Sequence, residues 1–134
     1  MPEFEVNLLV EARVAPSEEP ERVQRAVENI VGDCEYSVRV HGDLVRLSSS
    51  DPKCLDRVHD QLRDRHIRSA ARRLLLVGRE GDRTRAMVNR QAAFHGVIAL
   101  CGNEEESTLG PINLTLRSRQ IESIIEWLTA YPSG

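Results

Sequence analysis

Apolar residues in the first 50 positions change period twice, and this constrains the fold more than any other feature. Residues 4–14, FEVNLLVEARV, alternate in part and are rich in strand-forming residues, which predicts a strand. Strand-like stretches return at 34–40 and 44–49 around His-Gly-Asp, which predicts a hairpin. Between them lies a stripe at helical spacing, formed by Val23, Ala26, Val27, Ile30 and Val31. The chain is therefore neither all-α nor all-β.

Start and stop signals divide this part of the chain further. Ser17 is predicted to cap the first helix, and Gly32 to end it. Asp51-Pro52 predicts the start of a second helix, because proline is tolerated in the first turn. The apolar stripe that follows changes phase near Arg65, so we expect either two helices or one that bends there.

The C-terminal half repeats the mixture of elements. We expect a turn at 78–82, a short helix within 86–96, and strands at 97–101 and 109–116. The final helix has an apolar side, formed by Ile121, Ile124, Ile125 and Leu128. The order β-α-β-β-α(α)-α-β-β-α predicts an α+β protein with a mainly antiparallel sheet covered by helices.

The whole chain is expected to form a single domain. Its 134 residues are enough to bury a core. A division into two sub-lobes, 1–78 and 84–134, stays open.

The N-terminus and the cysteines predict a cytoplasmic location. No apolar run approaches the roughly 18 residues of a membrane span, and the first residues carry acids where a signal peptide has basic groups. Three cysteines cannot all pair with one another, and none lies in a C-x-x-C arrangement. We therefore expect buried thiols in a reducing compartment, and no membrane partner.

Charge is distributed unevenly along the chain. Of 18 basic residues, all but Lys53 are arginine. The segment 57–90 contains ten arginines and four acids, a charge of +6, and the remainder has eight basic and seventeen acidic residues, a charge of −9. This asymmetry, within a total of −3, suggests an anionic partner for the basic segment.

The arginines in and near 63–73, RDRHIRSAARR, are the candidate binding residues. On a helix, Arg65, Arg68 and Arg72 fall within about 60° of one another, a spacing that suits successive phosphates. The nucleic-acid-binding candidates are Arg65, Arg68, Arg72, Arg73, Arg79, Arg83, Arg85 and Arg90. Alternatively, the acids elsewhere in the chain neutralise them. Aromatic residues are only 4% of the chain, which argues against base stacking.

No motif indicates catalysis. His59 and His66 are two helical turns apart, too far for the i, i+4 pair of a helical zinc site. Glu104, Glu105 and Glu106 lack the spaced ligands of a calcium loop. The glycines of GREGD lack the Lys-Ser/Thr of a phosphate-binding loop. We therefore expect a non-enzymatic protein with no catalytic residue, metal, cofactor or small-molecule substrate.

Three stretches carry a family resemblance: VEARVAPSEEPERVQRAVENIV (10–31), VNRQAAFHG (88–96) and EESTLGPINLTL (105–116). They resemble the archaeal uncharacterised protein family 201, although Thr108 stands where that family has proline. The resemblance implies an α+β fold similar to that of the large-subunit ribosomal protein that binds 5S ribosomal RNA, and a homodimer. It implies no catalytic residues.

Two functions remain open at this point. The first is an RNA-contacting module that uses an arginine-rich helical face. The second is a dimeric protein-interaction or scaffold protein that binds no nucleic acid, with its arginines paired to its own or a partner's acids; the apolar C-terminal helix is then a possible interface. They differ in whether the basic and acidic segments face each other or face opposite ways.

Overall fold

A computed structural model of the chain describes residues 4–64 and 67–130. It confirms the α+β class and the mainly antiparallel sheet. The sheet has six strands in the order β2-β3-β1-β6-β4-β5, and every neighbouring pair is antiparallel. The elements are β1 (Asn7–Arg13), α1 (Pro20–Val31), β2 (Ser37–His41), β3 (Leu44–Ser49), α2 (Asp56–Asp64), α3 (Arg68–Val77), β4 (Arg83–Val88), α4 (Arg90–Phe94), β5 (Leu100–Cys101), β6 (Ile112–Arg117) and α5 (Ile121–Thr129).

One face of the sheet carries the core, and the helices cover it. Alternate residues of β1, namely Leu8, Val10 and Ala12, are buried, while the residues between them are partly or fully exposed. The predicted stripe of α1 is buried on the same side of the sheet, which confirms it. Strands from both proposed sub-lobes join this single sheet. The single-domain assignment itself stays a prediction.

The start of α1 differs from the prediction. The helix begins at Pro20, and Ser17 lies in the preceding turn and does not cap it. Proline in the first helical turn restricts the residue before it to an extended conformation, and Glu19 adopts one, with φ −89° and ψ 129°. The predicted end is confirmed: Gly32 has φ 64°, a conformation that favours glycine.

The phase change near Arg65 does separate two helices. A 3-10 turn at Pro52–Leu55 leads into α2, and α3 starts at Arg68. Arg65 and His66 lie outside the described residues. The apolar side of α5, formed by Ile121, Ile124, Ile125 and Leu128, is buried in the chain's own core, so this side is not available as a dimer interface.

Strand β4 was not predicted: it begins directly after the expected turn at 78–82 and overlaps the start of the helix expected within 86–96. Its residues pair with β6 along the whole strand, and Thr84 and Val88 are buried against the helices. The helix expected within 86–96 is shorter, limited to α4. The strand predicted at 97–101 is reduced to the two residues of β5. Among the described helices, none combines the length and apolar character needed to cross a membrane.

Gly78 follows the end of α3 and lies against the backbone of β4, which leaves no room for a side chain. A Cβ atom there would lie 2.5 Å from the carbonyl oxygen of Arg85. Gly78→Ala is therefore expected to lower the free energy of unfolding by about 1–3 kcal/mol, measured by urea unfolding. Gly102→Ala is the control, because its nearest neighbour is the flexible Glu106 carboxylate. Equal losses in the two variants would contradict this explanation.

Candidate nucleic-acid interface

An arginine of α3 and another just beyond its end pair with acids of the neighbouring helix α5. Arg72 Nη2 lies 2.8 Å from Glu126 Oε1, and Arg79 Nη1, just beyond α3, lies 2.8 Å from Glu122 Oε1. All four side chains are partly exposed, so each pair contributes little to stability. The first pair neutralises Arg72, one residue of the predicted helical stripe, which is the kind of internal pairing that the second functional alternative requires.

The rest of that stripe is not a continuous basic surface. Arg68 is buried, with 8% of its surface exposed. Arg73 is exposed on α3. Arg65 lies in the part of the chain that the structure does not describe. The structure therefore does not bring the helical candidates together as one exposed set.

Arg90, at the start of α4, is buried and has a structural role. It is 4% exposed, and its Nη1 lies 2.6 Å from Glu18 Oε1. The same nitrogen donates to the carbonyl oxygen of Arg13, and Nε donates to the carbonyl of Gly110 at 3.0 Å. Arg90 therefore ties β1, the start of α1 and the loop before β6 to α4, and it offers no exposed charge.

These bonds also explain why two motifs of the sequence occur together. The backbone N–H of Arg90 donates to Ser107 Oγ at 3.0 Å, and that hydroxyl donates to the carbonyl of Gly110 at 3.0 Å. The side chain of Asn89 accepts from the N–H of Ala92 at 2.9 Å and so caps α4. The stretches 88–96 and 105–116 thus form one hydrogen-bonded junction.

A basic surface does exist, but on the sheet. The open face is defined as the strand side chains that point away from the helices. Its arginines come from five strands and are Arg13, Arg39, Arg46, Arg83, Arg85 and Arg117. Among the described strand residues of this face, Glu11 is the one carboxylate. Two of the candidate residues, Arg83 and Arg85, belong to this surface.

The arginines of the open face are only partly neutralised. Arg46 Nη2 lies 2.8 Å from Glu11 Oε2. Arg13 is 3.2 Å from Asp43, and Arg83 is 3.2 Å from Glu80. For Arg39, Arg85 and Arg117, by contrast, no carboxylate of residues 4–64 or 67–130 lies within ion-pairing distance. These three guanidinium groups are free to bind an external anion.

The strand register places like charges directly opposite each other. Arg39 of β2 is the cross-strand neighbour of Arg46 of β3, and Arg83 of β4 is the neighbour of Arg117 of β6. Like charges in this position destabilise a sheet. A bound phosphate would relieve the repulsion at both places.

The open face lines part of a broad, shallow depression of about 1750 Å³. Leu9, Thr115, Arg85 and Arg117 lie along it. Part of its rim is acidic, and includes Asp51. The backbone N–H groups of Glu35 and then Lys53 hold the pKa of Asp51 below its usual value, so this carboxyl is charged at neutral pH. The acidic part of the rim, which also includes Asp33 and Glu35, lies beside Lys53, whereas Arg83, Arg85 and Arg117 line another part of the depression.

The helices on the other side of the sheet carry one group of acidic residues: Glu21 and Glu28 of α1, Asp56, Asp60 and Asp64 of α2, and Glu122 and Glu126 of α5. Other acids lie in loops, and Asp33, Glu35 and Asp51 line the depression. Arg72 of α3 and Arg79 just beyond it pair with acids of α5, whereas the arginines of the open face are directed away from the helices. The two kinds of arginine in this chain thus face opposite ways.

Four arginines of the open face were not among the residues predicted from the sequence. They are Arg13, Arg39, Arg46 and Arg117. They lie far apart in the chain, so a search for dense basic segments does not find them. The available signal was their alternation with buried residues within each strand, as in Val45-Arg46-Leu47. Even so, their grouping depends on the strand order, which the sequence does not state.

Proteins of known sequence show which family this chain resembles. No family model matches the chain. A UPF0201 protein of Metallosphaera sedula is 36% identical over 123 residues, which cover 91% of this chain and 86% of the relative. A UPF0201 protein of Thermococcus onnurineus is also 36% identical, over 121 residues that cover 89% of this chain and 87% of the relative.

Solved structures have the same fold. A crystal structure of an uncharacterised UPF0201 protein superposes with a TM-score of 0.76 at 25% identity, covering 96% of this chain and 97% of the other. The UPF0201 protein of Methanococcus jannaschii gives a TM-score of 0.74 at 22% identity, with 96% of both chains covered. The resemblance drawn from the residues is thus confirmed at the level of the family, and the chain belongs to the archaeal UPF0201 family.

Proposed function

We propose that this protein binds structured RNA through the open face of its sheet, by contacts between arginines and phosphates. One observation carries the proposal. The face has six arginines, listed above, against one carboxylate in its described strands, and Arg39, Arg85 and Arg117 have no ion-pair partner among the described residues.

The chemistry of the side chains fits this ligand. A guanidinium group presents donors in a planar fork that matches two phosphate oxygens. Strands β1, β3 and β6 are paired on both sides, and Arg83 and Arg85 of β4 are paired with β6, so these donors stand on the hydrogen-bonded framework of the sheet. Neutralising several phosphates releases counterions, which gives an affinity that falls with salt.

The proposed role is binding without a catalytic step. The face offers guanidinium, hydroxyl and amide groups and the imidazole of His41, and its Glu11 carboxylate is engaged by Arg46. The relatives' names state no activity. A fold like that of the 5S-rRNA-binding ribosomal protein stays a prediction, and fold by itself would not establish function.

The proposal is tested by fluorescence anisotropy with a labelled, structured RNA at low and then physiological salt. Arg85→Glu is expected to weaken binding at least tenfold, because it removes a phosphate contact and adds repulsion. Arg73→Glu is the matched control, since Arg73 is also exposed but lies on α3. The RNA affinity of this variant should stay within about twofold of the wild-type value. Folded wild-type protein that binds no RNA at low salt would overturn the proposal.

A second candidate is a homodimeric interaction protein that binds no nucleic acid. The observation that favours it is the internal pairing of Arg72, Arg79 and Arg90 with the chain's own acids. In that case, acids of a second copy would meet the open face. Sedimentation equilibrium separates the candidates: a dimer that dissociates when Arg85 is replaced by Glu, together with no RNA binding, would favour this one.

A further inference from the structure

The arginines of the open face form two clusters at opposite corners. The N-terminal cluster is defined as Arg13, Arg39 and Arg46, and the C-terminal cluster as Arg83, Arg85 and Arg117. Arg46 lies on β3 and Arg85 on β4, which is three strand positions away in the sheet. Along the strand direction the two residues are offset by two positions. At about 4.8 Å per strand and 3.4 Å per residue, their Cα atoms are about 16 Å apart.

The band between the clusters is mostly uncharged and can form hydrogen bonds. Thr115 and Asn113 of β6 lie at its centre, with Leu9 of β1 and Ser48 of β3 beside them. Glu11, at the edge of the band, is held by Arg46 at 2.8 Å. Hydroxyl and amide side chains suit sugar hydroxyl groups, whereas the arginines on either side suit phosphates.

The open face offers little aromatic surface. None of its described strand residues is Phe, Tyr or Trp, and its imidazole, His41, lies at the end of edge strand β2. Tyr36 lines the rim of the depression, with its hydroxyl directed to Glu28 of helix α1 at an O–O distance of 2.7 Å. Proteins that bind single-stranded nucleic acid stack successive bases on aromatic side chains. A single strand therefore matches this face less well than a duplex does.

We infer that the ligand of the open face is an A-form RNA duplex, contacted across its minor groove. This inference rests on the proposed function and names its substrate class. The minor groove of A-form RNA is wide and shallow and displays 2′-hydroxyl groups between two phosphate backbones. The two arginine clusters meet the two backbones, and Thr115 and Asn113 meet the 2′-hydroxyl groups. The minor groove of B-form DNA is narrower, about 6 Å, and has no 2′-hydroxyl.

The test compares three labelled oligonucleotides of one sequence: an RNA duplex, a DNA duplex and a single-stranded RNA. We expect the protein to bind the RNA duplex at least tenfold more tightly than the DNA duplex or the single-stranded RNA, as measured by anisotropy at low salt. The variant Asn113→Leu/Thr115→Val removes the hydrogen-bonding groups from an exposed and a partly exposed strand position. It should reduce the preference for the RNA duplex over the DNA duplex to about threefold or less. Thr108→Val, an exposed threonine away from the strands, is the control and should keep the full preference.

The outcomes separate this inference from the proposed function. Equal binding of all three ligands, or tighter binding of single-stranded RNA, would overturn the duplex inference and leave RNA binding intact. An unchanged preference in Asn113→Leu/Thr115→Val would also overturn the minor-groove contact. Failure of all three ligands to bind the folded protein would overturn both.

Discussion

Replacing Arg90 with methionine is expected to lower the free energy of unfolding by about 3–5 kcal/mol, the cost of breaking a buried ion pair. Arg90 is 4% exposed and lies 2.6 Å from Glu18, whose side chain is 15% exposed. Without the guanidinium group, the Glu18 carboxylate and the carbonyls of Arg13 and Gly110 lose a donor where water has little access. Methionine keeps most of the apolar volume, so the loss reports the polar contacts.

The matched control is Arg73→Met. Arg73 is an exposed helical arginine, in the middle of α3, and surface substitutions usually change stability by less than about 0.5 kcal/mol. Urea unfolding followed by circular dichroism compares the two variants with wild type. Equal stability of Arg90→Met and Arg73→Met would show that the junction around Arg90 is not a structural requirement.

The triple variant Arg39→Glu/Arg85→Glu/Arg117→Glu is expected to bind structured RNA at least 100-fold more weakly than wild type at low salt. These are the arginines of the open face that have no ion-pair partner among the described residues. Each substitution removes a phosphate-binding fork and places a negative charge against the nucleic acid. Anisotropy titration with a labelled structured RNA measures the loss.

The same variant should be at least as stable as wild type. Arg39→Glu places a glutamate opposite Arg46, and Arg117→Glu places one opposite Arg83. Opposite charges across strands contribute roughly 0.2–1 kcal/mol, where the natural like charges are unfavourable. Lost binding with retained or raised stability would indicate that these arginines serve a ligand. A variant that unfolds would contradict that explanation.

Local patterns were enough to predict most of the elements. The stripe of α1, the hairpin of β2 and β3 and the break before α3 all follow from apolar spacing and turn residues close together in the chain. Strand β4 was not predicted, because its sequence gives a mixed signal. Thr84 and Val88 favour a strand, whereas Arg85, Ala86 and Met87 between them favour a helix. Its pairing with β6, about 30 residues away, decides its conformation.

The binding surface was harder to predict, because it depends on the strand order. Arg46 and Arg117 are separated by most of the chain, yet lie on one face once β1 is placed between β3 and β6. In the dense segment 63–73, by contrast, the described residues belong to the end of α2 and the start of α3, where Arg68 is buried and Arg72 is paired. Local charge density identified arginines that the fold itself uses, such as Arg90, together with Arg83 and Arg85 of the open face, and could not distinguish the two kinds.

The salt dependence of RNA affinity tests the central claim most directly. The slope of log affinity against log salt concentration counts the phosphates that the protein neutralises, at about 0.7–0.9 per phosphate. Wild type should show a steep slope, and Arg39→Glu/Arg85→Glu/Arg117→Glu a slope smaller by about 2–3. Identical slopes for the two proteins would contradict the assignment of phosphate contacts to the open face of the sheet.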